Sequence, residues 1–261
     1  MNGDTRTLAE ETASKVPAVT LGFWVIKILA TTLGETGGDW VTMSLNLGYL
    51  VGTGIFAAIF VILVSGQVRA QRFQPALYWA TIVATTTLGT TMADFADRSL
   101  GIGYPGGVTI IFILLAASLA IWRRSEGTVS VESITTPRAE WFYWCTILFS
   151  QTLGTALGDW LAGKDRGGMA LGYEVSALIF GAALAVVAVL YFSTRISRTV
   201  LFWAAFILTR PLGATLGDFL DKPVEQGGLH FSRLVASAVL LVGIVACVAL
   251  IPQRPAKAGS H

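Results

Sequence analysis

Cysteine and histidine are nearly absent, with two of each in 261 residues. Cys145 and Cys247 lie far apart, each inside an apolar stretch, so they read as packing residues and say nothing of the redox compartment. His230 stands alone, and His261 is the last residue. A thiolate–imidazole cluster for a soft metal is therefore lacking. So are a His-Glu-x-x-His run, a haem-ligand pair and a Ser/His/Asp set. The expectation is a protein that is not an enzyme and needs no cofactor.

Charge is the second scarcity. Only 13% of residues are charged and 54% are hydrophobic, with a mean hydropathy of +0.66. Soluble domains carry about 25% charged residues, so this chain has too few to cover a water-facing surface, and a membrane protein is expected. The net charge of +2 says little about partners, and no nucleic-acid partner is expected. Asp4, Glu10 and Glu11 precede the first apolar run, so a cleaved signal peptide with its basic start is not expected.

What is plentiful is apolar sequence in long runs, at 16–38, 45–65, 76–93, 106–122, 141–161, 170–192, 199–220 and 230–252. Most approach the ~20 residues that cross a bilayer. The fold class expected is all-α and polytopic: eight transmembrane helices arranged as four parallel two-helix repeats around an axis along the membrane normal. One membrane domain, 16–252, would hold repeats at about 16–66, 76–123, 140–193 and 199–252, between tails at 1–15 and 253–261. Basic residues gather between repeats, at Arg69 and Arg72, at Arg123, Arg124 and Arg138, at Arg195 and Arg198, and after the last at Arg254 and Lys257. The positive-inside rule then makes those segments and both termini cytoplasmic, in a bacterial inner membrane.

Each repeat carries one motif. Thr32-Leu33-Gly34-Glu35-Thr36-Gly37-Gly38-Asp39-Trp40 recurs as Thr87-Leu88-Gly89-Thr90-Thr91-Met92-Ala93-Asp94-Phe95, then as Thr152-Leu153-Gly154-Thr155-Ala156-Leu157-Gly158-Asp159-Trp160, and last as Pro211-Leu212-Gly213-Ala214-Thr215-Leu216-Gly217-Asp218-Phe219. An acid at a membrane-buried helix end is costly, and four of them imply a role. The aromatic after the Asp alternates Trp, Phe, Trp, Phe, which suggests duplication of a two-repeat unit; the spacing to the next aromatic does not follow that alternation. Trp24, Trp79, Trp144 and Trp203, each nine residues before the motif Leu, are expected to anchor at the membrane interface.

At 100° per residue the motif has two faces. The glycines form a small-xxx-small stripe that lets helices approach closely, within the bundle or in a homo-oligomer. On the other face, Thr32, Thr36, Thr87, Thr91, Thr152, Thr155 and Thr215 are expected to line a path, and Asp39, Asp94, Asp159 and Asp218 with Glu35 to ligate a metal cation. Carboxylates and hydroxyls suit hard cations and protons. Lys27 and Arg210, within the same helices, are candidate counter-charges, and Lys27 is placed to pair with Glu174 or another acid.

These repeats resemble a family of bacterial membrane proteins described as a tandem repeat of unknown function, with four copies of two transmembrane segments each. The resemblance implies the layout and no activity. Glu35-Thr36-Gly37-Gly38-Asp39 is also similar, with one residue too many and no basic residue after it, to the Glu-x-Gly-Asp-Lys/Arg helices of Mn²⁺ or Ca²⁺/proton exchangers. That analogy raises Mn²⁺ among the hard cations. The expectation is thus an inner-membrane secondary transporter, an exporter, trading a hard metal cation for protons. A cation channel and a non-transporting scaffold or sensor are the alternatives; in the latter the acids would pair with Lys27, Arg98 and Arg210.

Overall fold

The computed structural model describes residues 14–256. Asp4, Glu10, Glu11, Lys257 and His261 lie outside the described residues, with the rest of 1–13 and 257–261. Eight long helices follow one another: α1 (Leu21–Asp39), α2 (Gly48–Arg69), α3 (Pro75–Asp94), α4 (Tyr104–Glu126), α5 (Pro137–Ala162), α6 (Tyr173–Ser193), α7 (Arg198–Asp221) and α8 (Arg233–Leu250). Local sequence starts and stops them. Thr20 and Thr136 cap α1 and α5 by accepting from Phe23 N and Ala139 N, and prolines occupy the first turns of α3, α4 and α5, where no N–H is needed. The turn entering each even helix requires a left-handed residue. Gly48, Gly103 and Gly172 hold φ of 74°, 76° and 77°, and His230 fills the fourth such place at φ 57°. That is a backbone role for the lone histidine.

The odd helices form a closed inner ring: α1 packs on α3, α3 on α5, α5 on α7, and α7 back on α1. Each even helix covers the odd helix of the following repeat rather than its own, α2 on α3, α4 on α5 and α6 on α7. α8 completes the cycle by packing on α1. The chain ends close the same circle, because Ala18 N donates to Arg254 O at 2.8 Å and Ala256 N to Val16 O at 2.8 Å. We call that end of the bundle the clasp end and the opposite one, where the motifs finish, the acid end.

Polarity is inverted relative to a water-soluble bundle. Isoleucines, valines and leucines of α2, α4, α6 and α8 face outward, among them Ile62, Ile113, Leu178 and Val242, while the inner ring buries Thr, Asp and Arg. Among the described residues five helices, α2, α4, α6, α7 and α8, are long and apolar enough to cross a membrane by themselves. The motif-bearing α1, α3 and α5 fall short in composition because they carry the polar interior. A polar core inside an apolar sheath is consistent with a membrane protein.

Ring closure rests on the first glycine of each motif. Gly34 abuts Thr86, Gly89 abuts Gln151, Gly154 abuts Arg210 and Gly213 abuts Thr31, the same relation carried round all four helices. A Cβ on Gly89 would stand 2.9 Å from the backbone carbon of Gln151 and 2.9 Å from Thr152 N. Backbone does not yield as a side chain does, so Gly89→Ala is expected to destabilise by about 1–3 kcal/mol. Gly37→Ala, whose nearest neighbours lie at 3.9 Å, should gain roughly 0.5–1 kcal/mol from lower chain entropy. Melting temperatures of the purified variants in detergent would separate the two; equal shifts would refute the packing account.

Candidate functional site

Two positions per motif, two residues before and two after its Leu, are a helical turn apart and face the ring's centre. The first set is Thr31, Thr86, Gln151 and Arg210; the second is Glu35, Thr90, Thr155 and Ala214. All eight are buried. Arg210 of α7 ties the ring together. Its Nη2 donates to Glu35 Oε2 at 3.0 Å on α1, to Thr90 Oγ1 at 2.5 Å on α3 and to Thr155 Oγ1 at 2.6 Å on α5, while Nη1 donates to Thr31 O at 3.3 Å. One fully buried guanidinium thereby meets all three other inner helices.

Lys27 sits one turn toward the clasp end. Its Nζ donates to Gln151 Oε1 at 3.4 Å and lies 4.2 Å from the centre of the Phe206 ring. The expected pairing with Glu174 is not made, because Glu174 is exposed in the first turn of α6, at the acid end.

At the acid end the four motif aspartates are joined in two pairs. Lys222 bridges Asp39 and Asp218, touching Asp39 Oδ2 and lying 3.0 Å from Asp218 Oδ1. Arg98 bridges Asp94 at 2.8 Å and Asp159 at 3.2 Å, and also donates to the Tyr49 hydroxyl at 3.2 Å. Each cation belongs to an even-numbered repeat, four residues after its own Asp, and reaches the Asp of the next repeat in the ring. Arg233 adds Asp221 at 3.2 Å and stands 3.9 Å from Asp39. Carboxylate oxygens of Glu35, Asp39 and Asp218 come within 4.8 Å of one another, close enough to share one ion. Asp94 and Asp159 are not part of that group.

The threonines divide. Thr155 reaches Arg210. Thr36 accepts from Ser237 of α8 at 2.8 Å, and Thr91 packs near Gly52 of α2, so both turn toward the outer helices. Thr32, Thr87, Thr152 and Thr215 donate to carbonyls of their own helices, a use that satisfies the hydroxyl without a ligand. Sequence reasoning missed Thr31, Thr86, Thr90 and Gln151, and it gave no role to Asp97, Asp221 and Lys222. The Asp–x–x–x–Arg/Lys spacing of Asp94–Arg98 and Asp218–Lys222 was the legible signal.

The interface anchors expected at Trp79, Trp144 and Trp203 are instead in the core, at 2%, 1% and 5% exposure. With Trp122, Tyr78 and Tyr143 they fill the clasp end through edge and tilted ring contacts of 5.1–6.4 Å. Tyr78 and Tyr143 join hydroxyls at 2.6 Å, Trp79 donates to Gln253 at 3.1 Å and Trp203 to Val129 O at 2.9 Å. An interfacial tryptophan would present its N–H to headgroups; these present it to the clasp and to the loop between α4 and α5.

An all-helical ring of four repeats with membrane-type helices outside and ion pairs inside is the class this architecture defines. Segments 22–73, 77–128, 142–197 and 201–251 match the family described as "Repeat of Unknown Function (DUF347)", and the chain belongs to it. No curated protein and no solved structure matches the chain.

Proposed function

We propose that the protein is a secondary transporter of a bacterial inner membrane, with eight spans and cytoplasmic termini, that exports a hard cation in exchange for protons. Glu35, Asp39 and Asp218 would hold the ion. The observation that carries this reading is the approach of three buried carboxylates to within 4.8 Å at the end of the bundle axis, with a lysine ammonium between two of them. An ammonium on a four-carbon stem is a displaceable point charge, so Lys222 would occupy the site when the cation is absent and withdraw when it binds. Asp94 and Asp159 would form the neighbouring gate under Arg98. The acid end would face outward, as the basic segments at the clasp end favour.

Arg210 and the Tyr–Trp cluster fill the axis between the two ends, which weighs against a permanently open channel. Alternating access would need the clasp end to loosen. The reading assigns no catalytic residue. Mn²⁺ is the first ion to test, followed by Mg²⁺ and Ca²⁺. Cells lacking the protein should accumulate more of the transported metal and tolerate less of it. Asp39→Asn and Asp218→Asn should fail to restore either. Unchanged tolerance and content across these ions would overturn the proposal.

One observation favours a second reading, a non-transporting membrane scaffold. Glu35 and all four motif aspartates already have cationic partners within 3.2 Å, as purely structural acids would.

A further inference from the structure

Each clamp includes a second carboxylate three residues after its first, Asp97 after Asp94 and Asp221 after Asp218. Their surroundings differ. Asp221 accepts from Arg233 Nε at 3.2 Å. Arg233 is the third residue after His230, whereas the third after Gly103, at the matching turn, is Gly106. The half of the bundle that holds Asp97 therefore lacks that guanidinium.

Asp97 is nonetheless fully buried, and neither carboxylate oxygen has a hydrogen-bond or ion-pair partner among the described residues. Its carboxyl group lies against Gly107 so closely that a Cβ there would overlap it. The charged groups facing it are few. Its own turn supplies Arg98 and α3 supplies Asp94, both committed to the clamp; α5 supplies Asp159. The loop after α5 supplies Arg166, which donates to the backbone carbonyl of Asp97 at 3.0 Å. The start of α4, Tyr104 to Gly107, brings no charge.

An anion without donors in such a place is costly, so its two oxygens call for a bound positive charge. The contact with Gly107 crowds one side of the carboxyl group. A proton needs no further room and no further ligands. Burial, followed by the charge of Asp159, pushes the Asp97 carboxyl up to about 7, against the pull of Arg98 and Arg166.

We propose that Asp97 is an exchangeable proton-binding site at the acid end, and that the charge left on release competes with Asp94 and Asp159 for the Arg98 guanidinium. On release the O–H bond breaks, the electron pair stays on the carboxylate and the proton passes to water. The neutral acid leaves Arg98 fixed across its two aspartates; the carboxylate loosens it. As the proton step of exchange this rests on the transport reading, whereas the proton binding does not.

Infrared difference titration of the purified full chain tests it. The wild type should show a protonated-carboxyl band lost with a midpoint near pH 7, and Asp97→Asn should remove that component. Gly106→Arg places a guanidinium at the position of the sister half's Arg233, at the cost of moving the Ile102 side chain, and should lower the midpoint of the Asp97 component. Titrations of wild type and Asp97→Asn that superimpose would overturn the site. Should Asp97→Asn not fold, an unmoved midpoint in Gly106→Arg would do so. Absence of metal flux with the Asp97 component still titrating sinks the transport reading alone; flux with superimposed titrations sinks the proton site alone.

Discussion

Arg210→Ala is expected to prevent accumulation of folded protein, at a cost of about 3–5 kcal/mol. The guanidinium is fully buried and donates to α1, α3 and α5 at once. Its removal strands the Glu35 carboxylate in the centre of the ring and opens a cavity where four helices meet. Glu35→Gln should cost less, because the amide oxygen still accepts from Arg210. The double variant Glu35→Leu with Arg210→Met should recover most of the loss, since two matched apolar groups leave no uncompensated charge. Thr90 can then keep its own bond to Thr86 O, 3.2 Å away. Yield and melting temperature of the wild type, Glu35→Leu, Arg210→Met and the double variant form a double-mutant cycle. Additive losses would show that the pair is not the unit that holds the ring.

The second large effect concerns the Lys222 clamp. Lys222→Ala leaves Asp39 and Asp218 buried at 1% and 2% exposure with their bridging cation gone, and about 3–5 kcal/mol of stability should go with it. Exchanging the charges, Asp39→Lys with Lys222→Asp, keeps that ion pair, and with Asp218→Asn added to remove the like charge beside the new carboxylate it should restore folding. Under the transport reading it should not restore metal efflux, because the carboxylate that meets Glu35 and Asp218 is lost from the ion's position. Recovery of full cellular function by the exchanged pair would instead establish the scaffold reading. A folded, melting-competent, flux-negative protein is the expected result.

The helices and repeats were legible because their causes are local. Apolar runs near 20 residues, prolines at 75, 105 and 137, and glycines at 48, 103 and 172 act through neighbours in the chain. The glycine stripe was legible as a packing surface for the same reason, since a missing Cβ has one consequence wherever the partner lies. The axis face was not. Thr85, Thr86, Thr87, Thr90 and Thr91 surround α3 with hydroxyls, and a hydroxyl that can bond its own helix does not announce a direction. The expected path through Thr32, Thr36 and their counterparts lies beside the face that meets Arg210. Tryptophan misled for a related reason. Its amphipathic ring suits an interface and a sealed polar–apolar core equally, and position along a helix does not choose between them.

By itself the sequence determined that this is a four-fold repeat of helix pairs, too poor in charge to cover a water-facing surface. It also determined that small residues would bring the helices close. Tertiary structure alone decided which acids meet. Lys222 finds Asp39 across 183 residues and Arg210 finds Glu35 across 175, because each even helix crosses to the next repeat and α8 returns to α1. A cyclic handover of this kind joins the last repeat to the first, and the partners of a buried charge follow from that closure and not from its neighbours in the chain.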